Sequence, residues 1–264
     1  MRKIVDEYDR LYAPVRALII LSLDTTTRAG SVAVLDDDRV LALLAGDESR
    51  THGERLPGEI ARALDMAGVA REQIDLLAVA TGAGAFTGLR IGLAAMQGLA
   101  MALDRPVVGV SALEALASQV PSTETDVILP WMDAQRGDVF AMLIDASTQT
   151  TRETPTASNP EALIESWRRH LDGRRAIFIG DAAVRDAAVI ARLGDGRWES
   201  RAPAPLAVQI AQLGIARAAR GEAGPPHALE PIYVRRPDAE IERDHRRRLK
   251  AGPEGNVASE GGER

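Results

Sequence analysis

The chain has 264 residues, of which 45% are hydrophobic and 27% charged, and a formal net charge of −6. Its length exceeds the roughly 100–150 residues of a typical domain, so one large domain or two modest lobes is expected, and the composition excludes global disorder or a fibrous repeat. There is no cysteine, which removes disulfides, thiolate nucleophiles and cysteine-based metal sites together.

Residues 1–16 are polar with scattered apolar positions and read as an N-terminal extension, the folded body starting near residue 17. ALIILSLD (17–24) reads as a buried strand; as a secretory h-region it would be preceded by basic rather than acidic residues, and Asp6, Glu7 and Asp9 stand there. A turn at 25–30 returns the chain as SVAVLD (31–36), and VLALLAGD (40–47) completes a β-meander. Leu56, Ile60, Ala63, Leu64 and Ala67 give residues 53–67 a helical period. A strand at 74–82, a long helix at 87–103, a short strand at 107–110 and a helix at 111–119 follow.

The second half repeats this grammar. LSLDTTTRAGSVAVLD (21–36) and LPWMDAQRGDVFAMLID (129–145) both place an acid at a strand end, Asp24 and Asp133, before an Arg-containing turn, a glycine and an alternating strand. A third strand near 148–155, a helix at 160–170, a strand at 174–180 and a helix at 181–193 complete a second β-β-β-α-β-α unit. The fold class is therefore α/β, with two lobes of similar topology (17–110 and 111–204), each a mixed sheet with crossover helices and a cleft between the facing hairpins. Residues 205–237 read as a helix and contact segment that packs back on the body, and 238–264 as a disordered tail whose HRRRLK run (245–250) is read as solvated charge.

Residue usage narrows the chemistry. Only Lys3 and Lys250 occur, so residues 4–249 hold neither a Walker A lysine nor a Schiff-base amine. His52, His170, His227 and His245 stand too far apart for a local metal pair. The negative net charge and nine aromatics, three each of Trp, Tyr and Phe, argue against a dedicated nucleic-acid surface. No apolar run approaches the roughly 20 residues of a membrane helix.

Three segments could carry function. TGAGAFTGLRIG (81–92) joins a strand to a helix, where turn amides suit an anion, but its spacing is GxGxxxG and no ribose-holding acid follows; its glycines equally suit a tight turn and close packing at Gly88 and Gly92. The helix over 88–103 has only Arg90 and Gln97 as strongly polar side chains, which implies a second cover beyond its own sheet, half of a helical-bundle interface shared with helix 53–67. Asp24 with Thr25, Thr26 and Thr27 could hold a metal–phosphate group, with Asp133 as its counterpart, or could satisfy its own turn.

DTTTRAGSVAV, THGERLPGEI, GAGAFTGLRIG and MDAQRGDVFAM, in this order and spacing, resemble the bacterial TsaB (YeaZ) family over roughly residues 17–236; Ala83 and Ala85 depart from its more usual GPGSFTG loop. The resemblance implies an actin/Hsp70/sugar-kinase-like (ribonuclease H-like) fold of two duplicated lobes. It also implies a cytoplasmic, non-catalytic partner of TsaD, the subunit that transfers a threonylcarbamoyl group from threonylcarbamoyl-AMP to N6 of adenosine 37 in tRNAs reading ANN codons. Where the catalytic relative holds a metal with two histidines, this chain has His52 followed by Glu54 and Leu56, so no metal and no catalytic residue are expected. The implied partner interface, chosen by helical phase, is Leu56, Ile60, Leu64, Leu89, Leu93, Met96 and Ala100. The implied partners are a TsaD-like subunit, a TsaE-like ATPase, a second copy on the same helices when the chain is alone, and tRNA only through the complex, with no membrane. No intrinsic cofactor is expected, ATP or ADP entering at the level of the complex, and Asp24, Thr25, Thr26, Thr27 and Asp133 would form a degenerate nucleotide cleft. The alternative is an ATP-dependent kinase or metallohydrolase of the same superfold, the source of an older glycopeptidase label.

Overall fold

The computed structural model describes residues 17–235; the expected extension 1–16 and tail 238–264 lie outside them. The compact unit to which the following applies ends at Val234. Its first half contains β1 (Ile19–Asp24), β2 (Ser31–Asp36), β3 (Arg39–Ala45), α1 (His52–Ala67), β4 (Leu76–Gly82), α2 (Phe86–Leu103), β5 (Val107–Ser111) and α3 (Ala112–Ala117). The second contains β6 (Val127–Asp133), β7 (Val139–Asp145), β8 (Thr150–Ser158), α4 (Pro160–Ser166), α5 (Arg168–Leu171), β9 (Ala176–Ile179), α6 (Asp181–Arg185), α7 (Ala187–Leu193), β10 (Trp198–Arg201) and α8 (Ala207–Ala219).

The strands form two five-stranded sheets, β3-β2-β1-β4-β5 and β8-β7-β6-β9-β10. In each, an antiparallel meander is extended on its first strand by two parallel strands. The second sheet is thus a topological copy of the first, which is the duplication of two lobes expected. The copy is fuller than its sequence indicates. β10 is four residues, WESR, without apolar alternation, so no periodicity announces it. The expected helices at 160–170 and 181–193 each break in two, at Trp167 and Asp186.

β1, β2 and β4 are nearly continuous apolar runs because both faces of sheet 1 are covered. On the outer face, Leu21, Leu23, Val32, Val34, Leu77 and Val79 meet Leu56, Ile60, Leu89, Leu93 and Met96 of α1 and α2. On the inner face, Ile20, Leu35, Ala78 and Val108 share one core with α3, with Ile210 of α8, and with Ile128, Met142, Ile144 and Ile177 of sheet 2. The outer face of sheet 2 packs Trp131, Phe178 and Trp167 against α4–α7, with Trp131 edge-on to both other rings. Two serines inside apolar strands have an exact use for their hydroxyls: Ser22 donates to the Ala207 carbonyl at 2.7 Å and Ser31 accepts from the Ala207 N–H at 3.0 Å, fixing the start of α8 on sheet 1.

Two further features position the helices. α1 opens with Glu54 accepting from the Thr51 N–H (2.9 Å) and hydroxyl (2.7 Å), and closes on Gly68 in the left-handed region at φ 66°. After α8 the chain runs as a strap round the free side of β5: Val107 and Gly224 exchange backbone hydrogen bonds, Gln97 donates to the Pro226 and Leu229 carbonyls, and the Ile232 N–H donates to the Thr81 carbonyl at 2.7 Å.

α2 is long and apolar enough to cross a bilayer by length and composition alone; here one face packs on sheet 1 and the other is exposed. Its approach depends on Gly88 and Gly92, where a Cβ would collide with the Thr25 carbonyl and the Thr25 hydroxyl. Gly98, on the same helix, has open space at its Cβ position. Gly92→Ala is therefore expected to destabilise the fold by about 1–3 kcal/mol, while Gly98→Ala is expected to be neutral or to gain up to about 1 kcal/mol from helix propensity; urea unfolding of the two variants checks the contrast.

Candidate functional site

β1 ends at Asp24 because the turn after it is built around that carboxylate. Oδ1 accepts from the Thr26 N–H (2.8 Å) and hydroxyl (2.5 Å), and Oδ2 accepts from the Thr27 hydroxyl (2.8 Å). Each hydroxyl has one proton and both are directed at Asp24, so this turn satisfies itself. Asp24 and Thr25 are buried beneath it, and the Thr25 hydroxyl has no partner against α2.

Thr26 and Thr27 form one wall of a cleft of about 680 Å³ between the lobes, with Arg28, the 48–52 segment, Ala85, Thr87, Gly88 and Ile91. Met132, Asp133, Gln135 and Asp181 form the opposite wall. The hairpin acids of the two repeats therefore do converge on one cleft, one of them underneath its floor. Asp133 is engaged as well: Oδ1 takes the Arg185 guanidinium at 2.5 Å and the Gln135 N–H at 3.2 Å, and Oδ2 takes the Gln135 side-chain amide at 3.0 Å. Arg185 also grips Asp186, which accepts from the Trp131 indole N–H at 2.9 Å, so the rim of the cleft is tied into the core of lobe 2.

His52 sits at the start of α1 with both ring nitrogens in use. Nε2 faces the Thr27 carbonyl at 3.0 Å and must carry the proton; Nδ1 faces Arg55 Nη2 at 2.9 Å and must accept. This fixes a neutral tautomer, and burial, reinforced by the Arg55 charge, pushes the imidazole below its ordinary value. Arg55 is itself buried, with Nη1 on both oxygens of Glu59 at 2.6 and 2.8 Å and Nη2 on the Arg28 and Ala29 carbonyls. Its guanidinium occupies the space that a side chain at Gly46 would fill. The pair His52–Arg55 thus clamps α1 to the turn 27–29.

The seven positions expected at a partner interface lie elsewhere than on the surface, which corrects the sequence expectation. Leu56, Ile60, Leu89, Leu93, Met96 and Ala100 are buried against sheet 1, and Leu64 is half-buried at the edge of the same cluster. Helical phase identifies the apolar side of a helix, and sheet 1 covers that side. The exposed faces instead carry Gly53, Glu54, Pro57, Gly58, Ala61, Arg62, Asp65 and Met66 on α1 and Thr87, Arg90, Ala94, Gly98, Met101 and Ala102 on α2. They mix small, charged and apolar side chains and continue at one end into Phe86 and Tyr233, whose rings lie 5.3 Å apart with Arg90 over Phe86.

Three comparisons place these features among known proteins. A family model described as TsaD, tRNA N6-adenosine threonylcarbamoyltransferase, matches residues 46–168. A Bacillus subtilis (strain 168) protein named tRNA threonylcarbamoyladenosine biosynthesis protein TsaB is 28% identical over 228 residues, which are 84% of this chain and 96% of that one. An Escherichia coli (strain K12) protein of the same name is 35% identical over 122 residues, 46% of this chain and 52% of its own. The solved structure of YeaZ from Pseudomonas aeruginosa superposes with a TM-score of 0.64 at 29% identity, covering 82% of this chain and 99% of that one. Over most of its length the chain is similar to proteins named TsaB and YeaZ.

Sequence reasoning missed Arg55, Asp181 and Arg185 among the residues around the cleft. Arg55 stands one helical turn after His52 in THGERLPGEI, the spacing at which two side chains meet. Asp181 follows the end of β9 and lies in the cleft; it accepts from the Asp133 and Ala182 N–H groups, and burial pushes its carboxyl above the ordinary value. Among the described residues no group of three His, Cys, Asp or Glu side chains is arranged to hold a metal ion.

The His52 geometry has a pH consequence. Because its folded value lies below the unfolded one, the unfolded state binds the proton more readily; the His52 contribution to stability is present above the unfolded value of 6.5 and is lost as pH falls through the folded value. Asp181 has the opposite sign, its contribution being present at low pH and lost as pH rises through its raised value. NMR titration of the His52 ring should give a midpoint below 6.5, and His52→Gln should flatten the fall in stability as pH drops below 6.5.

Proposed function

We propose that this chain is a scaffold subunit of tRNA threonylcarbamoylation. In this reading it docks a TsaD-like transferase through the exposed stripe of α1 and α2 and supports transfer of the threonylcarbamoyl group from threonylcarbamoyl-AMP to N6 of adenosine 37 in tRNAs that read ANN codons. It contributes no catalytic residue. A TsaE-like ATPase joins the complex, ATP or ADP acts at that level, tRNA is met only through the complex, and the place of action is the cytoplasm, where tRNA is.

The observation that carries this reading is that Asp24, Asp133 and His52 are each held by partners within the chain. Asp24 is closed by Thr26 and Thr27, Asp133 by Arg185 and Gln135, and His52 by Thr27 and Arg55. A general base must reach its substrate; Asp24 is buried beneath its own turn, both His52 ring nitrogens are engaged, and Asp133 is held in an ion pair by Arg185. The names of the relatives support the pathway, and the match to a transferase model supports a transferase-like partner.

The docking stripe is tested by size-resolved co-purification with the TsaD-like protein of the same cell. Wild type is expected to form a one-to-one complex. Ala94→Glu, on the exposed stripe, is expected to fold normally and bind at least about 100-fold more weakly, since an unpaired carboxylate in the interface costs roughly 3 kcal/mol. Leu93→Glu, which points into the core, should fail earlier, by unfolding. The absence of a wild-type complex would refute the scaffold assignment, and ATP hydrolysis by the isolated chain that disappears in Asp24→Asn would replace it with an enzyme.

A further inference from the structure

α2 is 18 residues long and carries a single charge, Arg90. That side chain stands at the seam between the strap and the exposed face of the helix: Gln97, two turns on, donates to the strap carbonyls, whereas Ala94 and Met101 are exposed. Its place is fixed by aromatic neighbours. The guanidinium lies 3.8 Å from the centre of the Phe86 ring, one turn earlier on α2, and 5.8 Å from that of Tyr233. Nε donates to the Tyr233 hydroxyl at 2.9 Å, and Tyr233 is brought there by the strap, whose Ile232 N–H is fastened to the Thr81 carbonyl.

Elsewhere in the fold, arginines held this firmly include Arg185, Arg201 and Arg217, and each of these is held by acids. Arg90 is held without one. Among the described residues no carboxylate pairs with it, and its Nη1 and Nη2 groups have no acceptor. With the Nε edge closed by Tyr233, the end-on pair of N–H groups remains, and two parallel donors of that spacing match one carboxylate. A long side chain fixed before it meets its ligand has already given up most of its rotamer freedom, which is what pre-organisation contributes to binding. A face that docks another protein loses its water, and a cation left unpaired there is costly. Ala94, Gly98 and Met101, the neighbours of Arg90 on that face, have no charge to offset it.

We propose that Arg90 anchors the docking face by taking a carboxylate side chain of the docked transferase end-on, with Phe86 and Tyr233 as its positioning residues. This inference rests on the docking reading above and deepens it: it names what the partner must present, an Asp or Glu opposite the first turn of α2, and it makes the strap part of the binding surface. The first turn is the positive end of the helix and has no side-chain cap, so negative charge is favoured there. A tRNA phosphate would use the same two N–H groups. The protein carboxylate is favoured because α2 offers no second cation, whereas a nucleic-acid backbone is tracked by several, and because the residues beside Arg90 are small or apolar.

The test is calorimetric titration of the full-length chain with the TsaD-like protein of the same cell, both freed of nucleic acid. Arg90 is exposed, so its variants should keep the wild-type circular dichroism spectrum. Arg90→Gln is expected to weaken binding at least about tenfold, and Arg90→Lys to recover little of the loss, because the fork and the stacking are gone. Tyr233→Phe keeps the ring and removes the hydroxyl; it should weaken binding about threefold and have no effect once Arg90 is replaced by Gln. Arg90→Glu should abolish the complex, and replacing one acid of the partner by Arg should restore it, a rescue that a merely structural role for Arg90 would not give. If Arg90→Gln binds like wild type while Ala94→Glu does not, the docking reading stands and this inference falls; if wild type does not bind, both fall. An Arg90→Gln variant that keeps the protein complex but lowers its retention of tRNA would make the anion a phosphate and overturn the proposal, as would failure of every acid-to-Arg replacement to rescue Arg90→Glu.

Discussion

Helices α3 and α8 lie between the two sheets, and the side chains they share with both inner faces make a single core out of two lobes. Ile20 and Val108 of one sheet and Ile128 and Ile177 of the other belong to it, with Leu113 and Ile210 in the middle. Domain closure in two-lobed proteins works by a hinge across which few contacts run. Here the region where a hinge would lie is filled with buried apolar side chains. Moving the lobes apart would expose that core to water, at about 25 cal/mol for every Å² uncovered.

The same rigidity reaches the cleft through short links. The turn after β1 is pressed by α2 at Gly88 and Gly92 and held by His52 and Arg55 of α1. The turn after β6 is held by Arg185, which is anchored through Asp186 to the indole of Trp131. Groups that in an open site would be directed at a ligand are directed at neighbours in the chain. The duplicated architecture is retained in full, down to a glycine at the end of the fourth strand of each sheet, Gly82 and Gly180, with φ of 143° and 147°.

Much of this was legible in the residues. The apolar runs at 17–24 and 31–36, the glycine after the strand at 74–82 and the parallel between Asp24 and Asp133 are local signals, and each maps to one element. What escaped depends on contacts that are distant in sequence. WESR becomes a strand only because β9 offers an edge, and Trp167 and Asp186 break helices for reasons set by lobe 2 packing. The interface positions show the limit of periodicity most clearly: Leu89, Leu93 and Met96 mark a face that needs cover, and nothing in their spacing distinguishes a sheet of the same chain from a helix of another. Arg55 could have been suspected from its spacing to His52, but its burial depends on Gly46, beyond the end of β3.

The return of the chain to its first lobe has a consequence for its synthesis. α8 supplies Ala207, Ile210 and Ala211 to the inner face of sheet 1, and the strap that follows closes the β5 edge and fastens the Thr81 carbonyl. Both are translated after the whole of lobe 2. A nascent chain therefore carries sheet 1 with part of one face uncovered and one edge unpaired until residues 207–232 have left the ribosome, and lobe 1 cannot be completed in the N-terminal-first order that independent domains follow. Products that terminate early lack not a peripheral segment but part of the inner wall of the lobe that bears α1 and α2.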